Sequence, residues 1–497
     1  MESFVLSEWL QQHFDPAGDS PAYQRLYALI SRAILEGRMA AGARLPSTRD
    51  LAADLRIARN TVLQVYDQLT EEGYVHAGVG RGTFVQDISQ DLVEAPVAPE
   101  DAREEQAPHG AGRDAHLSRR GSRLLAHLGF SNRQSGAFMP GIPDVREFPL
   151  KTWARIQNRQ WREGPWDLMR YAPAGGYGPL RQALSDYLGS VRSVRSTAAQ
   201  VVMTTGIHQA IDVTVRLLCD PGDTVWIEEP AYWGVRNLLA SAGLKLVPIR
   251  VDDEGLWPGE AERAQPPRLI VVAPSHQYPL GMVMSLARRR MLLDYARQVS
   301  CWILEDDYDS EFRYGSRPLP SLQGMDEDGR VLYAGSFSKT LCPGLRVGFL
   351  VVPEALSGAF ANAVAELYRE GNMMLHSVLA EFIREDHLSS HIRRVRRRYA
   401  ERRACLIDGI RRHFGDTLEI VGDAAGLHLV LALPEGVDDV LVERDALQQG
   451  VVTRALSTYY MDRTHARPGL LLGYAGATPE EIRPAFDALA RVIRRYV

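Results

Sequence analysis

Apolar positions in AYQRLYALISRAILEG (residues 22–37) recur at helical spacing and stop at Gly37, which predicts an amphipathic helix. LPSTRDLAADLRIARNTVLQVYDQLTEEGY then reads as two helices joined by a tight turn near Arg56–Ala58. Ser47 and Thr48 follow a proline and cap the first; Gly73 ends the second. In that second helix Val62, Val65, Tyr66 and Leu69 share one helical face and are assigned to a core. VHAGVGRGTFVQ predicts two short strands around a glycine-rich tip. The order over residues 21–86 is helix, helix–turn–helix, wing, preceded by an extension over 1–20.

Residues 87–134 carry Ala, Pro, Glu, Asp and Arg without hydrophobic periodicity and read as a flexible linker. From residue 135 the pattern changes. QVVMTTG, DTVWIEEP, RLIVVAPSH, SCWILEDDY, RVLYAGSFS and VGFLVVP are apolar runs of strand length, alternating with helical stretches such as QAIDVTVRLLC and LARRRMLLDYARQV. Such alternation predicts a mostly parallel sheet with helices on both faces over residues 135–388. A long helix over about 358–387, either continuous or broken, leads to a smaller α+β domain over 389–497.

The formal net charge of −5 confines any nucleic-acid-binding surface to a local patch. No apolar run reaches the roughly 18–20 residues of a membrane helix. The N-terminus is acidic where a signal peptide is basic, so a cytoplasmic location without membrane contact is expected. Cys219, Cys301, Cys342 and Cys405 are far apart, and no metal site is expected.

The chain has 57 basic residues, yet only Lys151, Lys245 and Lys339 are lysines. Lys339 stands in GSFSKTLCPGLRVGF. An amine condenses with an aldehyde and a guanidinium does not. Ser336 and Ser338 flank it and Arg346 follows, a set suited to a phosphate monoester. Asp306 and Tyr308 close a strand, where a carboxylate can hold a pyridine nitrogen protonated and a phenol can bond the ring's 3′ oxygen. TTGIHQAI opens a helix whose free N–H groups favour a phosphate, and Tyr232 or Trp233 can stack on a flat ring. Together these residues predict a pyridoxal 5′-phosphate site.

From about residue 135 onward the chain resembles the fold type I aspartate aminotransferases. As a whole it resembles the MocR/GabR subfamily of GntR-type bacterial transcription regulators, through SHQYPLG, EDDYDSEFRY and SFSKTLCPGLRVGF. The implied fold is an N-terminal winged helix-turn-helix plus an α/β fold type I aminotransferase-like domain with a small C-terminal α+β domain. The resemblance implies that Lys339 forms the internal aldimine, Asp306 pairs with the ring nitrogen, Tyr308 contacts the 3′ oxygen and Tyr232 stacks. Ser336, Ser338, Arg346 and the N–H groups of Gly206, Ile207 and His208 hold the phosphate. Tyr171 reaches the partner's phosphate in a domain-swapped homodimer.

The chain also departs from working aminotransferases. Tyr278–Pro279 stands where they carry Asn-Pro, leaving His276 or Gln277 to compensate. Gly469 falls at or beside the position of their carboxylate-gripping arginine, with Arg467 two residues earlier. Gly234 replaces an arginine of the family's GABA-sensing member, and Arg236 is the other candidate grip. The expected function is a regulator that binds double-stranded operator DNA and senses an amino compound or a B6 vitamer. An aminotransferase with an autoregulatory DNA-binding arm is the alternative. In a winged helix the second helix of the turn enters the major groove. Arg59, Asn60 and Thr61 are therefore expected to face bases, Arg44, Ser47 and Arg49 phosphates, and Arg81 with Gly82 the wing contact.

Overall fold

The computed structural model describes residues 2–15, 20–78, 82–87, 117–118, 121–122, 136–164, 166–315, 319–369 and 371–497. Arg81 at the wing tip and nearly all of the linker predicted over 87–134 lie outside the described residues. The chain forms two compact units, Met1–Gly112 and Arg113–Val497.

In the first unit, helices α1 (Glu2–His13), α2 (Ala22–Leu35), α3 (Thr48–Leu55) and α4 (Arg59–Glu71) precede strands β1 (Val75–Gly78) and β2 (Gly82–Val85). The hydroxyl of Ser47 caps α3 by accepting from Asp50 N at 3.1 Å. Arg56 takes a left-handed φ of 54° at the turn, and α4 starts three residues later. β1 and β2 pair antiparallel from Val75↔Val85 to Gly78↔Gly82. Leu45 N donates to Thr83 O and Val85 N to Ala43 O, both at 2.9 Å, so residues 43–45 add a third rung beside the wing. Val62, Val65, Tyr66 and Leu69 are buried, as their spacing predicts. Helix α1 was not anticipated by the periodicity. It earns its place through Leu10 and Phe14, which enter the same core, each such burial being worth about 1.5–3 kcal/mol.

The second unit is built on an eight-stranded sheet of β3 (Val201–Thr204), β4 (Thr224–Glu229), β5 (Lys245–Asp252), β6 (Gly255–Leu256), β7 (Leu269–Val272), β8 (Trp302–Asp307), β9 (Val331–Ser336) and β10 (Gly348–Val351). The order across the sheet is β3-β10-β9-β8-β7-β4-β5-β6. Neighbours from β9 to β5 run parallel; β10 is antiparallel to both β3 and β9, and β6 to β5. All six predicted strands are present. β4, β7 and β9 are apolar runs shielded on both faces, which is the pattern parallel strands require. Helices α5 (Leu150–Arg162), α6 (Gly178–Arg192), α7 (Ile207–Leu218), α8 (Trp233–Ser241) and α9 (Leu286–Val299) lie in this unit.

The predicted long helix is two, α10 (Ser357–Tyr368) and α11 (Met373–Arg384). Arg369 and Gly371 between them adopt φ of 57° and 82°, which a continuous right-handed helix cannot contain. The 28-residue α12 (His387–Phe414) then leads into a four-stranded antiparallel sheet. Its strands are β11 (Ile420–Val421), β12 (His428–Ala432), β13 (Arg454–Ala455) and β14 (Gly469–Gly473), backed by α13 (Asp439–Gln448) and α14 (Pro479–Ile493). Its core joins Leu429, Leu431, Leu470 and Leu472 to Leu406 of α12 and Phe486 of α14.

Candidate functional site

Strand register brings the predicted residues to one edge of the large sheet. Gly348 lies opposite Ser336 on one side and Thr204 on the other. A Cβ on Gly348 would fall 2.7 Å from Gly206 Cα, so glycine is required for β10 to pass this close to the start of α7. Arg346, just before β10, has a left-handed φ of 51°, and its guanidinium lies near Gly206. Helix α7 begins at Ile207 with no side chain capping it, leaving its first N–H groups to an external acceptor. Gly206 N already donates to Thr204 Oγ1 at 3.3 Å, so the group available to a ligand starts at Ile207 and His208.

At the end of β8 successive carboxylates face alternate sides, as strand geometry dictates. Glu305 accepts from Leu322 N and Gln323 N at 3.1 and 3.0 Å. Asp307 pairs with Arg192 at 2.8 Å and accepts from Tyr333 Oη at 2.6 Å. Asp306, between them, accepts no hydrogen bond from the described residues. Burial and the Asp307 and Asp309 carboxylates push it up to about 7, opposed by Lys339. Burial holds the Lys339 amine below its usual value, opposed by Asp309 and Asp306. Lys339 Nζ donates to Gly141 O at 2.5 Å. Burial and Asp306 raise Tyr232 to about 12, with Arg346 opposing. The amine, the carboxylate, the phenol and the guanidinium thus share one field. The arrangement can capture an aldehyde at Lys339, hold a proton on a ring nitrogen at Asp306, and receive a phosphate between Arg346 and the start of α7.

Tyr308 is half-buried, and the desolvation of its phenol raises it well above the ordinary value. Its Oη lies 2.8 Å from His276 Nδ1. Gln277, the other candidate to replace the missing asparagine, is spent on backbone: its amide donates to Pro230 O and Tyr278 O at 2.7 and 2.9 Å, and its carbonyl accepts from Leu280 N. Arg467 is exposed and paired with Glu419 at 3.4 Å. Arg236 is half-buried on α8, where Glu229 and Arg463 face it. At Gly234 a Cβ would meet Tyr232 Cε1 at 2.6 Å and His208 Nε2 at 2.7 Å, so an arginine cannot stand there without displacing the tyrosine. Tyr171 is 91% exposed and is not brought to the other residues within a single chain.

Sequence reasoning missed several groups here. The Gly141 carbonyl has no side-chain signal. Asp309 and His428 come to the site only through folding. The imidazole of His208 had been credited with its backbone alone, yet it lies beside Tyr232 with ring centroids 6.0 Å apart.

In the winged unit Arg44, Ser47, Arg49, Arg59, Asn60 and Gly82 are exposed and Thr61 half-buried. The Arg44 side chain packs over Gly82, where a Cβ would meet its Nε at 2.7 Å. Arg59 Nε donates to Thr48 Oγ1 at 3.5 Å. The exposed face of α4 continues through Leu63, 46% exposed, and Gln64, neither of which was among the expected contacts. Among the described residues no cluster of three metal-ligating side chains occurs, and no helix is long and apolar enough to cross a membrane.

Residues 22–85 match the family of bacterial regulatory proteins called gntR, and residues 144–489 match aminotransferase class I and II. The probable rhizopine catabolism regulatory protein MocR of Rhizobium meliloti is 40% identical over 96% of this chain and 94% of its own length. The pyridoxine biosynthesis transcriptional regulator PdxR of Corynebacterium glutamicum is 28% identical over 91% of this chain and 92% of its own. The α-aminoadipate aminotransferase LysN of Thermus thermophilus, solved with N-(5′-phosphopyridoxyl)-L-leucine, superposes with a TM-score of 0.69 at 27% identity, covering 76% of this chain and 97% of that one. With a winged helix at one end, an aminotransferase fold at the other and such identity along both, the chain belongs to the MocR-type transcription regulators of the GntR family.

Proposed function

We propose that this regulator binds pyridoxal 5′-phosphate at Lys339 and that a small amino compound, or the B6 vitamer itself, acts there to change the affinity of the winged helices for a double-stranded operator. The residues present fit the group. Asp306 lacks a donor among the described residues and Arg346 forms no ion pair with a described carboxylate. A protonated ring nitrogen would complete the first, and a phosphate the second. Bound there, the group would supply an aldehyde for the Lys339 amine and an electron-withdrawing ring.

The protein's own part is binding and orientation. Asp306 holds the proton at the ring nitrogen, Tyr308 faces the 3′ oxygen and Tyr232 covers the ring. Ser336, Ser338, Arg346 and the N–H groups of Ile207 and His208 receive the phosphate, with Gly206 giving the close approach. On the DNA, Arg59, Asn60 and Thr61 read bases, Arg44, Ser47 and Arg49 hold phosphates, and the wing with Arg81 and Gly82 follows the backbone. The stretch from Ile142 to Tyr171 exposes Ile142, Val145, Leu150, Trp161, Trp166, Met169 and Tyr171. So much apolar surface supports a homodimer in which Tyr171 reaches the phosphate of the second copy. A domain-swapped arrangement suits the long linker.

The observation that carries the reading is the convergence of a half-buried amine, a carboxylate without a donor and a guanidinium without an ion pair among the described residues at one end of the strands. Titrating the full chain with pyridoxal 5′-phosphate should produce a visible absorbance band, absent in Lys339→Ala, and should change operator affinity. A wild-type protein with no band, whose operator binding ignores the cofactor, contradicts the proposal.

A further inference from the structure

The cofactor reading leaves one buried cluster unused. His276 and Asp309 are each about 1% exposed. His276 Nδ1 lies 3.0 Å from Asp309 Oδ2, 3.1 Å from Oδ1, and 2.8 Å from Tyr308 Oη. One ring nitrogen therefore faces three oxygens from two residues and can hold a single proton. His276 Nε2 is buried with no hydrogen-bond partner. Protonating it, in the other tautomer or in the imidazolium, would leave a buried N–H without an acceptor. A bare Nδ1 is also excluded while Asp309 is ionised, since it would set two acceptors 3.0 Å apart. The consistent state is a neutral imidazole with its proton on Nδ1, donated to Asp309. Tyr308 Oη then cannot donate to His276, and its own proton is left to point into the cleft. The ring is held by packing: a Cβ at Gly426 would fall 2.0 Å from His276 Cε1, and His428 lies 5.3 Å away, centroid to centroid.

We infer that His276 and Asp309 are positioning residues: Asp309 and the acceptor-free burial of Nε2 together keep the His276 proton on Nδ1, and His276 in turn aims the Tyr308 proton at the 3′ oxygen of the bound cofactor. This rests on the cofactor reading above. Its mechanism is the familiar one in which a carboxylate selects an imidazole tautomer, with a phenol in place of a metal or nucleophile.

The test is the pH midpoint of the visible band of the full chain loaded with pyridoxal 5′-phosphate. A proton donated to the 3′ oxygen draws electron density from it and weakens its hold on the proton at the neighbouring Lys339 nitrogen. Losing that donation should raise the midpoint by about one to two pH units. Other charged or titratable groups facing this cluster are Asp306 on β8, Glu228 on β4, Tyr278, His428 and Lys339. None of them changes in the variants. In Asp309→Asn the amide oxygen goes on accepting from Nδ1–H, because an Nε2–H would have no acceptor, so Tyr308 keeps its orientation and only the lost charge acts, which lowers the midpoint. In His276→Phe the Tyr308 proton turns to Asp309, so the midpoint rises. His276→Asn keeps a donor where Nδ1–H was, and the midpoint stays near the wild-type value. Combining His276→Phe with Tyr308→Phe adds nothing beyond Tyr308→Phe alone.

The sign separates this role from a simple field effect. Asp309 favours positive charge at Lys339, so removing its charge without a tautomer switch lowers the midpoint. A lowered or unchanged midpoint in His276→Phe, additive shifts in the double variant, or loss of the band in both His276→Phe and His276→Asn overturns the inference alone. A wild-type protein without any band overturns the cofactor reading and this inference with it.

Discussion

A single position can be decided by chemistry or by space, and the two kinds differ in how visible they are. Lys339 announced itself because arginine cannot do what a lysine amine does, in a chain that otherwise avoids lysine. Asp306 stood out less; the four acidic residues in EDDYD are indistinguishable until the strand alternation sends Asp307 to Arg192 and leaves Asp306 without a donor among the described residues. Gly426 carried no signal at all. With φ of 78° and a would-be Cβ 2.0 Å from His276, it cannot be replaced without moving the imidazole. Gly426→Ala should cost about 1–3 kcal/mol of stability in denaturant titration, and should weaken cofactor retention. Unchanged stability would mean that the loop and the imidazole yield to each other freely.

Among elements, the winged unit was the most legible, because turn residues and caps act locally. Ser47 caps α3 through its hydroxyl, so Ser47→Ala should lower the stability of the unit by about 1 kcal/mol in thermal unfolding. The α4 face reads differently. Arg59 and Asn60 stand at the start of the helix, where the motif places base contacts; Leu63 and Gln64 extend the same exposed face one turn on and carry no such signal. Arg59→Ala should cost about 1–3 kcal/mol against the preferred operator and relax selectivity at one base pair, whereas Arg49→Ala should weaken all DNA evenly and flatten the salt dependence. Competitive binding to operators with single base-pair changes separates the two outcomes. The break between α10 and α11 obeys such local rules as well: residues 369–372 carry no apolar side chain, Gly371 is left-handed, and Asn372 caps α11 by accepting from Leu375 N at 3.1 Å.

Across the whole molecule the question is assembly. Trp166, 71% exposed, and Tyr171, 91% exposed, are large aromatic surfaces that a solitary chain would leave in water. Trp166→Glu should shift the protein toward monomer in sedimentation by roughly 30-fold or more in dissociation constant, the cost of losing a central aromatic anchor, with weaker operator binding following from lost bivalency. A dimer unaffected by this substitution would place the interface elsewhere.

Composition, periodicity and motif order were enough to establish the winged helix, the mostly parallel sheet, and the lysine, carboxylate and arginine around which a cofactor site could be built. These follow from properties each residue carries along the chain: helical or strand period, turn preference, and the reactivity of its own side chain. What folding alone decided was which groups meet. Gly141 and Lys339 are 198 residues apart, and Tyr308 and His276 are 32 apart, yet each pair shares a hydrogen bond. Contact between distant segments depends on sheet order and on space left by absent side chains, and neither is a property of any local stretch.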